Sequence, residues 1–136
     1  MSTPHLRALV AALEPRLLPG TFAFVSVPLA TDLDALDSVA TMREAEGLSL
    51  IVPLQQALDR GLPVLFRAAQ ITLCVASELQ AVGLTAVVAA ALADAGLPCN
   101  VVAGARHDHL FVPDGEAPRA LQVLRELQGR WSSPID

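Results

Sequence analysis

Apolar and polar residues along this chain follow the two periods that mark helices and strands. From Pro4 to Leu13 the apolar residues recur every three or four positions, which predicts an amphipathic helix with Thr3 as its N-cap. Runs rich in valine, isoleucine or phenylalanine, bounded by glycine and proline, predict strands. The further predicted elements are a strand Thr21–Pro28, a loop or single helical turn Asp32–Asp37, a hairpin of Val39–Arg43 with Leu48–Val52, a helix Pro53–Gly61, a strand region Val64–Ala76, a helix Gln80–Ala95, a hairpin of Cys99–Ala103 with His109–Pro113, and a helix from Asp114 to Gly129.

Two of these segments carry extra information. Val64–Ala76 is too long for one ordinary strand, so we expect it to end one unit and begin the next, with Arg67–Gln70 as the changeover. The helix Gln80–Ala95 is apolar on nearly all faces, whereas a helix that covers a sheet on one side only is amphipathic. We therefore expect it to be buried on two sides, either against another helix of the chain or in a subunit interface.

The order of the elements predicts an α+β fold built from two similar units. Residues 70–128 give β-α-β-β-α, and residues 21–68 give β-loop-β-β-α-β, so each is a nearly complete ferredoxin-like βαββαβ unit with an antiparallel sheet. The first unit lacks its first helix and the second lacks its last strand. We expect the N-terminal helix to cover the sheet face that the missing helix leaves bare, with domains at residues 1–68 and 69–136.

Composition excludes several classes of function. Hydrophobic residues make up 53% of the chain and the net charge is −5, which predicts a folded globular protein and makes nucleic acid a poor partner. All nine basic residues are arginine, so a Schiff-base lysine and a phosphate-binding P-loop are excluded. The longest apolar run is far shorter than the roughly 20 residues of a membrane span, and no secretion signal begins the chain. We expect a cytoplasmic protein with no membrane partner.

Three separated blocks of sequence resemble a known family. The residues that carry the resemblance are Arg43-Glu44-Ala45-Glu46-Gly47-Leu48-Ser49-Leu50, Ile71-Thr72-Leu73 with Ala81-Val82-Gly83-Leu84-Thr85-Ala86, and Cys99-Asn100-Val101-Val102-Ala103-Gly104 with His107-Asp108-His109-Leu110-Phe111-Val112-Pro113. In these blocks the chain is similar to small bacterial proteins with two ACT domains and, more distantly, to the ACT units of CASTOR-type arginine sensors. The resemblance implies tandem ACT-like units that bind an amino acid and regulate another activity, without a cofactor.

The resemblance also implies where a ligand binds. In ACT domains a glycine between the first strand and the first helix lets the ligand approach the backbone, and the helix N-terminus offers N–H groups to a carboxylate. Gly83 matches this glycine, although it also fits a plain turn. Asn100 heads a strand that faces the same loop, where its amide could equally form a capping bond. The implied ligand-binding set is Glu78, Ala81, Val82, Gly83, Leu84, Thr85, Asn100, Val101, His107 and Asp108.

The cluster His107-Asp108-His109 is the one group of residues that suggests direct chemistry. In an extended segment, alternation places the two histidines on one face and Asp108 on the other, so the imidazoles could share a metal ion. They could instead form hydrogen bonds within the hairpin turn or line a ligand or subunit pocket. Because no carboxylate stands at metal-ligand spacing from the pair, no metal site is predicted.

The leading hypothesis is a non-enzymatic regulatory module that binds an amino acid near Gly83 and forms a homodimer. The alternative is a structural or interaction module that dimerises or docks on a partner without a ligand. The sequence contains no G-x-S-x-G, G-x-G-x-x-G or H-E-x-x-H motif. The ligand hypothesis predicts that Gly83→Leu abolishes binding without unfolding the protein.

Overall fold

The computed structural model describes residues 3–132. In chain order the elements are α1 Pro4–Ala11, β1 Pro15–Leu17, β2 Phe22–Val27, β3 Ala40–Arg43, β4 Leu48–Pro53, α2 Leu54–Asp59, β5 Phe66–Leu73, α3 Leu84–Asp94, β6 Asn100–Ala103, β7 Asp108–Pro113, a 3-10 turn Asp114–Glu116 and α4 Ala117–Ser132. Within this range, no helix has the length and apolar character needed to span a bilayer. The α+β class and both hairpins are confirmed.

The chain forms two compact units. The central unit is residues 19–69, and the composite unit is residues 1–18 together with residues 70–136. The long strand region behaves as predicted, because β5 pairs with β2 at one end, up to Ala68, and with β1 at the other, from Ile71. The predicted boundary at residues 68 and 69 lies beside this division, and residues 1–18 group with the composite unit.

The central unit has the strand order β3-β4-β2-β5, in which β2 and β4, β3 and β4, and β2 and β5 pair antiparallel. Alternate residues of β2 are buried, as expected for a strand with one face on a core. Gly47 closes the β3–β4 hairpin where a Cβ atom would lie 2.6 Å from the Val27 carbonyl oxygen, so no larger residue fits. The buried core residues are Ala23, Val25, Val27, Leu36, Leu48, Leu50, Val52 and Ala57.

The composite unit has the strand order β1-β5-β7-β6. Its fourth strand, which the sequence of the second half lacks, is β1 from the N-terminal segment, paired antiparallel with β5 from Pro15 opposite Leu73 to Leu17 opposite Ile71. Strand β1 was not among the predicted elements. Because β1 is an edge strand, the missing N–H of Pro15 is tolerated.

Helix α1 belongs to the composite unit and packs against α4. Our expectation that it covers the central unit's sheet was wrong. The apolar stripe forms as predicted and buries Leu9 and Val10, but α4 rather than the predicted sheet receives it. The predicted cap is confirmed, since the Leu6 N–H donates a 3.1 Å hydrogen bond to Thr3 Oγ1.

Helix α3 also packs against α4, which agrees with the first of the two burial alternatives. It begins at Leu84 rather than Gln80, because the backbone turns at Gly83. Ala86, Ala90 and Ala93 remain exposed, so one side of this apolar helix has no cover within the described residues.

Candidate functional site

The N-terminus of α3 has free backbone donors. Gly83 is its N-cap, no side chain caps the helix, and the Val87 N–H donates to the Gly83 carbonyl at 3.0 Å. The N–H groups of the first turn, before Val87, therefore lack partners four residues back in the helix. No acidic residue lies in this turn, so the partial positive charge of the helix end is available to an anionic group.

The β6–β7 hairpin places a carboxylate beside this helix end. A 2.9 Å hydrogen bond from the Gly104 N–H to the His107 carbonyl closes the turn, and the register pairs Ala103 with Asp108. The Ser77 N–H donates to the Arg106 carbonyl at 3.3 Å, which ties the loop before α3 to the hairpin. Loop, hairpin and helix end thus converge.

A small cavity of about 60 Å³ lies where these three segments meet. It contains two acidic residues and no basic one, and Asp108 is only 9% exposed. No residue between 3 and 132 donates a hydrogen bond to the Asp108 carboxylate. The lining residues are Ser77, Glu78, Leu79, Ala81, Leu84, Thr85, Ala103, Gly104 and Asp108.

Two larger and more open grooves adjoin the cavity, and Glu78 lines all three. The first groove, of about 540 Å³, is lined by Thr3, His5, Leu6, Glu78, Gln80, Ala81, Val82 and Gly83. The second groove, of about 420 Å³, is lined by Ala76, Ser77, Glu78, Ala105, Arg106 and His107. A ligand group too large for the cavity can extend into either groove.

Most of the predicted ligand-binding residues lie in this region. The cavity brings together Glu78, Ala81, Leu84, Thr85 and Asp108, the first groove adds Val82 and Gly83, and the second adds His107.

Gly83 has a structural role besides the predicted one at the ligand site. Its φ of +103° is a left-handed conformation, and a Cβ atom there would lie 2.8 Å from Leu6 Cδ2 of α1. The absent side chain thus makes room for α1. Leucine at position 83 would meet both an unfavourable backbone conformation and the end of the Leu6 side chain, so we expect Gly83→Leu to lower stability as well as ligand binding.

Asn100 and Val101 do not line the cavity. Asn100 pairs with Phe111, whereas Ala103 pairs with Asp108, and alternation along β6 puts these two pairs on opposite faces of the sheet. The expectation that Asn100 faces the ligand loop was wrong for this reason. Val101 shares the face of Asp108, two residues from Ala103 along the strand.

The two histidines bond to strand β5 and the loop after it, outside their own hairpin. His109 Nδ1 lies 3.0 Å from Thr72 Oγ1 and 3.4 Å from Gln70 Nε2, and His107 Nδ1 lies 3.4 Å from the Val75 carbonyl oxygen. Burial and the neighbouring His107 lower the pKa of His109, while Asp108 opposes this effect. Across residues 3–132, no three metal-binding side chains converge.

Four residues of the cavity were not in the predicted set: Ser77, Leu79, Ala103 and Gly104. Ser77 and Leu79 flank the predicted Glu78. Ala103 and Gly104 could have been predicted as lining residues from the position of the hairpin turn, because the register places Ala103 opposite Asp108. The predicted hairpin was therefore the feature of the sequence that pointed to these two lining residues.

Comparisons with known proteins agree with this architecture. Models of the ACT domain match residues 3–69 and residues 66–126. The crystal structure of VC0802 from Vibrio cholerae, described as a protein of unknown function and possible transport protein, is 41% identical, with a TM-score of 0.82 over 91% of this chain and 96% of that one. No curated protein sequence matches the chain.

Two more distant structures share the fold. Atu0741 from Agrobacterium tumefaciens is 17% identical, with a TM-score of 0.72 over 84% of this chain and 87% of that one. The regulatory subunit of aspartate kinase from Thermus flavus is 11% identical, with a TM-score of 0.58 over 83% of this chain and 95% of that one.

Proposed function

This chain belongs to the ACT domain family, with two ACT domains in tandem, and from this premise we propose that it is a regulatory module that binds an amino acid in the composite unit. The observation that carries the proposal is the cavity between the uncapped N-terminus of α3 and the β6–β7 hairpin. The fold that it shares with the regulatory subunit of aspartate kinase supports a role in regulation.

The geometry fits the carboxylate of an amino acid. Thr85 and Leu84 open the helix and line the cavity, so their N–H groups can donate to a bound carboxylate in place of water. The cavity of about 60 Å³ holds only a small group, and the adjoining groove of about 540 Å³ can take a side chain. Regulation then requires the ligand to bind one conformation more tightly than another.

A thermal-shift screen of the purified protein against the twenty amino acids tests the proposal. A ligand at 100 times its Kd adds about 2.7 kcal/mol to the unfolding free energy, which raises Tm by several degrees in a chain of this size. We expect Ala103→Leu to remove this shift, because the exposed Ala103 lines the cavity and leucine fills it.

Ala8→Leu is the matched control, since Ala8 is also exposed but lies on α1 and does not line the cavity. A selective shift that survives in Ala8→Leu and disappears in Ala103→Leu supports the site. An equal shift in both variants rejects this site, and silence across the whole panel rejects the binding function.

A second candidate is a module that docks on a protein partner or on its own copy. Leu79 and Val82 are 69% and 86% exposed beside the cavity, and the alanine side of α3 is exposed as well. Exposed apolar side chains grouped in this way are typical of interaction surfaces. Sedimentation velocity of the ligand-free protein tests it, because docking between copies predicts a mass above that of one chain.

A further inference from the structure

Asp108 is a carboxylate at a position where the other unit has a core leucine. Strands β4 and β7 are the third strands of their units, have the same burial pattern along six residues and end in the same leucine, valine and proline arrangement. The first residue is Leu48 in β4, 5% exposed, and Asp108 in β7, 9% exposed. Packing alone is therefore satisfied by an apolar side chain at this position.

The Asp108 side chain is mostly buried, and its carboxylate remains open to the cavity that it lines. Burial of a charged group is unfavourable unless the group is paired and hydrogen-bonded. Within residues 3–132 no group donates a hydrogen bond to the Asp108 carboxylate, and the other charged residue that lines the cavity is Glu78, of the same sign. The site therefore lacks a cation.

The helix end and the carboxylate occur together. The central unit has a loop in place of the helix before its second strand, and it has Leu48 where the composite unit has Asp108. The composite unit has α3, with its free N–H groups, and Asp108 lining the same cavity. The lining of this cavity thus includes N–H donors that suit an anion and a carboxylate that suits a cation.

The geometry points to Asp108 as the residue that selects the ligand, by binding its ammonium group. With the ligand's carboxylate held by the first turn of α3, the cavity then accepts the zwitterionic head of an α-amino acid, and it binds the α-hydroxy acid of the same shape less tightly. This inference rests on the proposed function and adds the chemical group that is recognised. A ligand without the ammonium leaves Asp108 buried and unpaired.

Pairs of ligands that differ only at this group test the inference on the unmodified protein. The probes are glycine, L-alanine, L-serine and L-leucine, each beside its hydroxy acid: glycolate, L-lactate, L-glycerate and L-2-hydroxyisocaproate. We expect any of these amino acids that raises Tm to bind at least about tenfold more tightly than its hydroxy acid, because a charge-assisted hydrogen bond is lost. Calorimetric titration gives the ratio.

Two variants test the residue. Asp108→Asn keeps the shape and removes the charge, and we expect it to weaken amino acid binding by about 10- to 100-fold. Asp108→Leu introduces the residue that the central unit has at the corresponding position, Leu48. We expect this variant to be at least as heat-stable as the wild type without ligand and to bind none of the probes. The control is Asp94→Asn, an exposed acid at the other end of α3, which should bind as the wild type does.

The outcomes separate this inference from the proposed function. If an amino acid and its hydroxy acid bind with equal affinity, the role of Asp108 is overturned and the binding function stands. The same holds if Asp108→Asn binds the amino acid as tightly as the wild type does. Absence of any binding in the wild type, over these probes and the twenty amino acids, overturns both. Ammonium-dependent binding lost in Asp108→Asn and kept in Asp94→Asn supports both.

Discussion

Gly83 shows how one residue can combine two constraints of different origin. Its positive φ is a property of its own backbone, and the 2.8 Å approach of Leu6 to the position of a Cβ atom is a property of the packing between α1 and the start of α3. Either constraint alone favours glycine. The residue therefore fixes the entry into α3, and with it the direction of the free N–H groups that line the cavity.

Gly83→Ala should lower the free energy of unfolding by about 1 to 2 kcal/mol, about 1 from the left-handed backbone and the remainder from the displacement of the Leu6 side-chain end. Gly20→Ala is the matched control, because Gly20 has a φ of +91° and nothing within 4 Å of the point where a Cβ atom would lie, so only the backbone cost applies. Urea denaturation of both variants measures the difference. Leu6→Ala should suppress part of the Gly83→Ala effect, and additive losses in the double variant would show that the two sites do not touch.

At the scale of elements, helix α4 holds the N-terminal segment in place through one amide. Gln128 Nε2 donates to the Ala11 carbonyl at 2.9 Å and to Glu14 Oε1 at 3.0 Å, and Gln128 Oε1 accepts from the Glu14 N–H at 3.0 Å. These bonds join the end of α1 and the turn before β1 to α4. Glu14 has a φ of +48°, so this turn is held in an uncommon conformation.

Gln128→Ala should reduce the free energy of unfolding by about 1 to 3 kcal/mol, since it removes the bonds that hold this turn. Gln122→Ala on the same helix is the control, because Gln122 bonds only to the exposed Glu126 four residues later, and it should change stability by less than about 0.5 kcal/mol. Thermal unfolding gives both values. Equal effects would mean that the Gln128 network does not contribute in solution.

For the whole molecule, the two units share a strand order and differ in their helices. Each runs 2-3-1-4 in its own strand numbering, read from β3 to β5 in the central unit and from β6 to β1 in the composite unit. Only the composite unit has a helix after its first strand among residues 3–132, and the candidate site uses the end of that helix. The exposed alanines of α3 lie next to the candidate site. The surface that we expect to form a dimer interface is therefore close to the proposed ligand site.

Ala90→Arg should weaken self-association by at least about tenfold, because a long charged side chain replaces a small one at the centre of the exposed alanine side. Ala105→Arg, in the exposed hairpin turn, adds the same charge away from α3 and should leave the mass unchanged. Sedimentation equilibrium over a range of concentrations measures both. A wild-type protein that sediments as one chain throughout would reject the dimer.

The sequence by itself determined the local structure. The capped helix after Thr3, both hairpins and the strand shared by the two units all follow from periodicity and turn residues, because these act over a few neighbouring positions. They were enough to predict the α+β class, whereas the resemblance to ACT domains implied the region of the candidate site. Five of the ten predicted ligand-binding residues line the cavity.

Only the tertiary structure decided which elements meet. An apolar stripe such as that of α1 can pack on any apolar surface, and an edge strand such as β1 can pair with any free edge, so neither partner is encoded in the segment itself. The pattern of apolar residues does not fix the register of β6 against β7 to within one residue. A shift of one residue moves Asn100 to the other face of the sheet. Whether the carboxylate of Asp108 has a partner depended on every segment around it, because burial and hydrogen bonding are sums over contacts from distant parts of the chain.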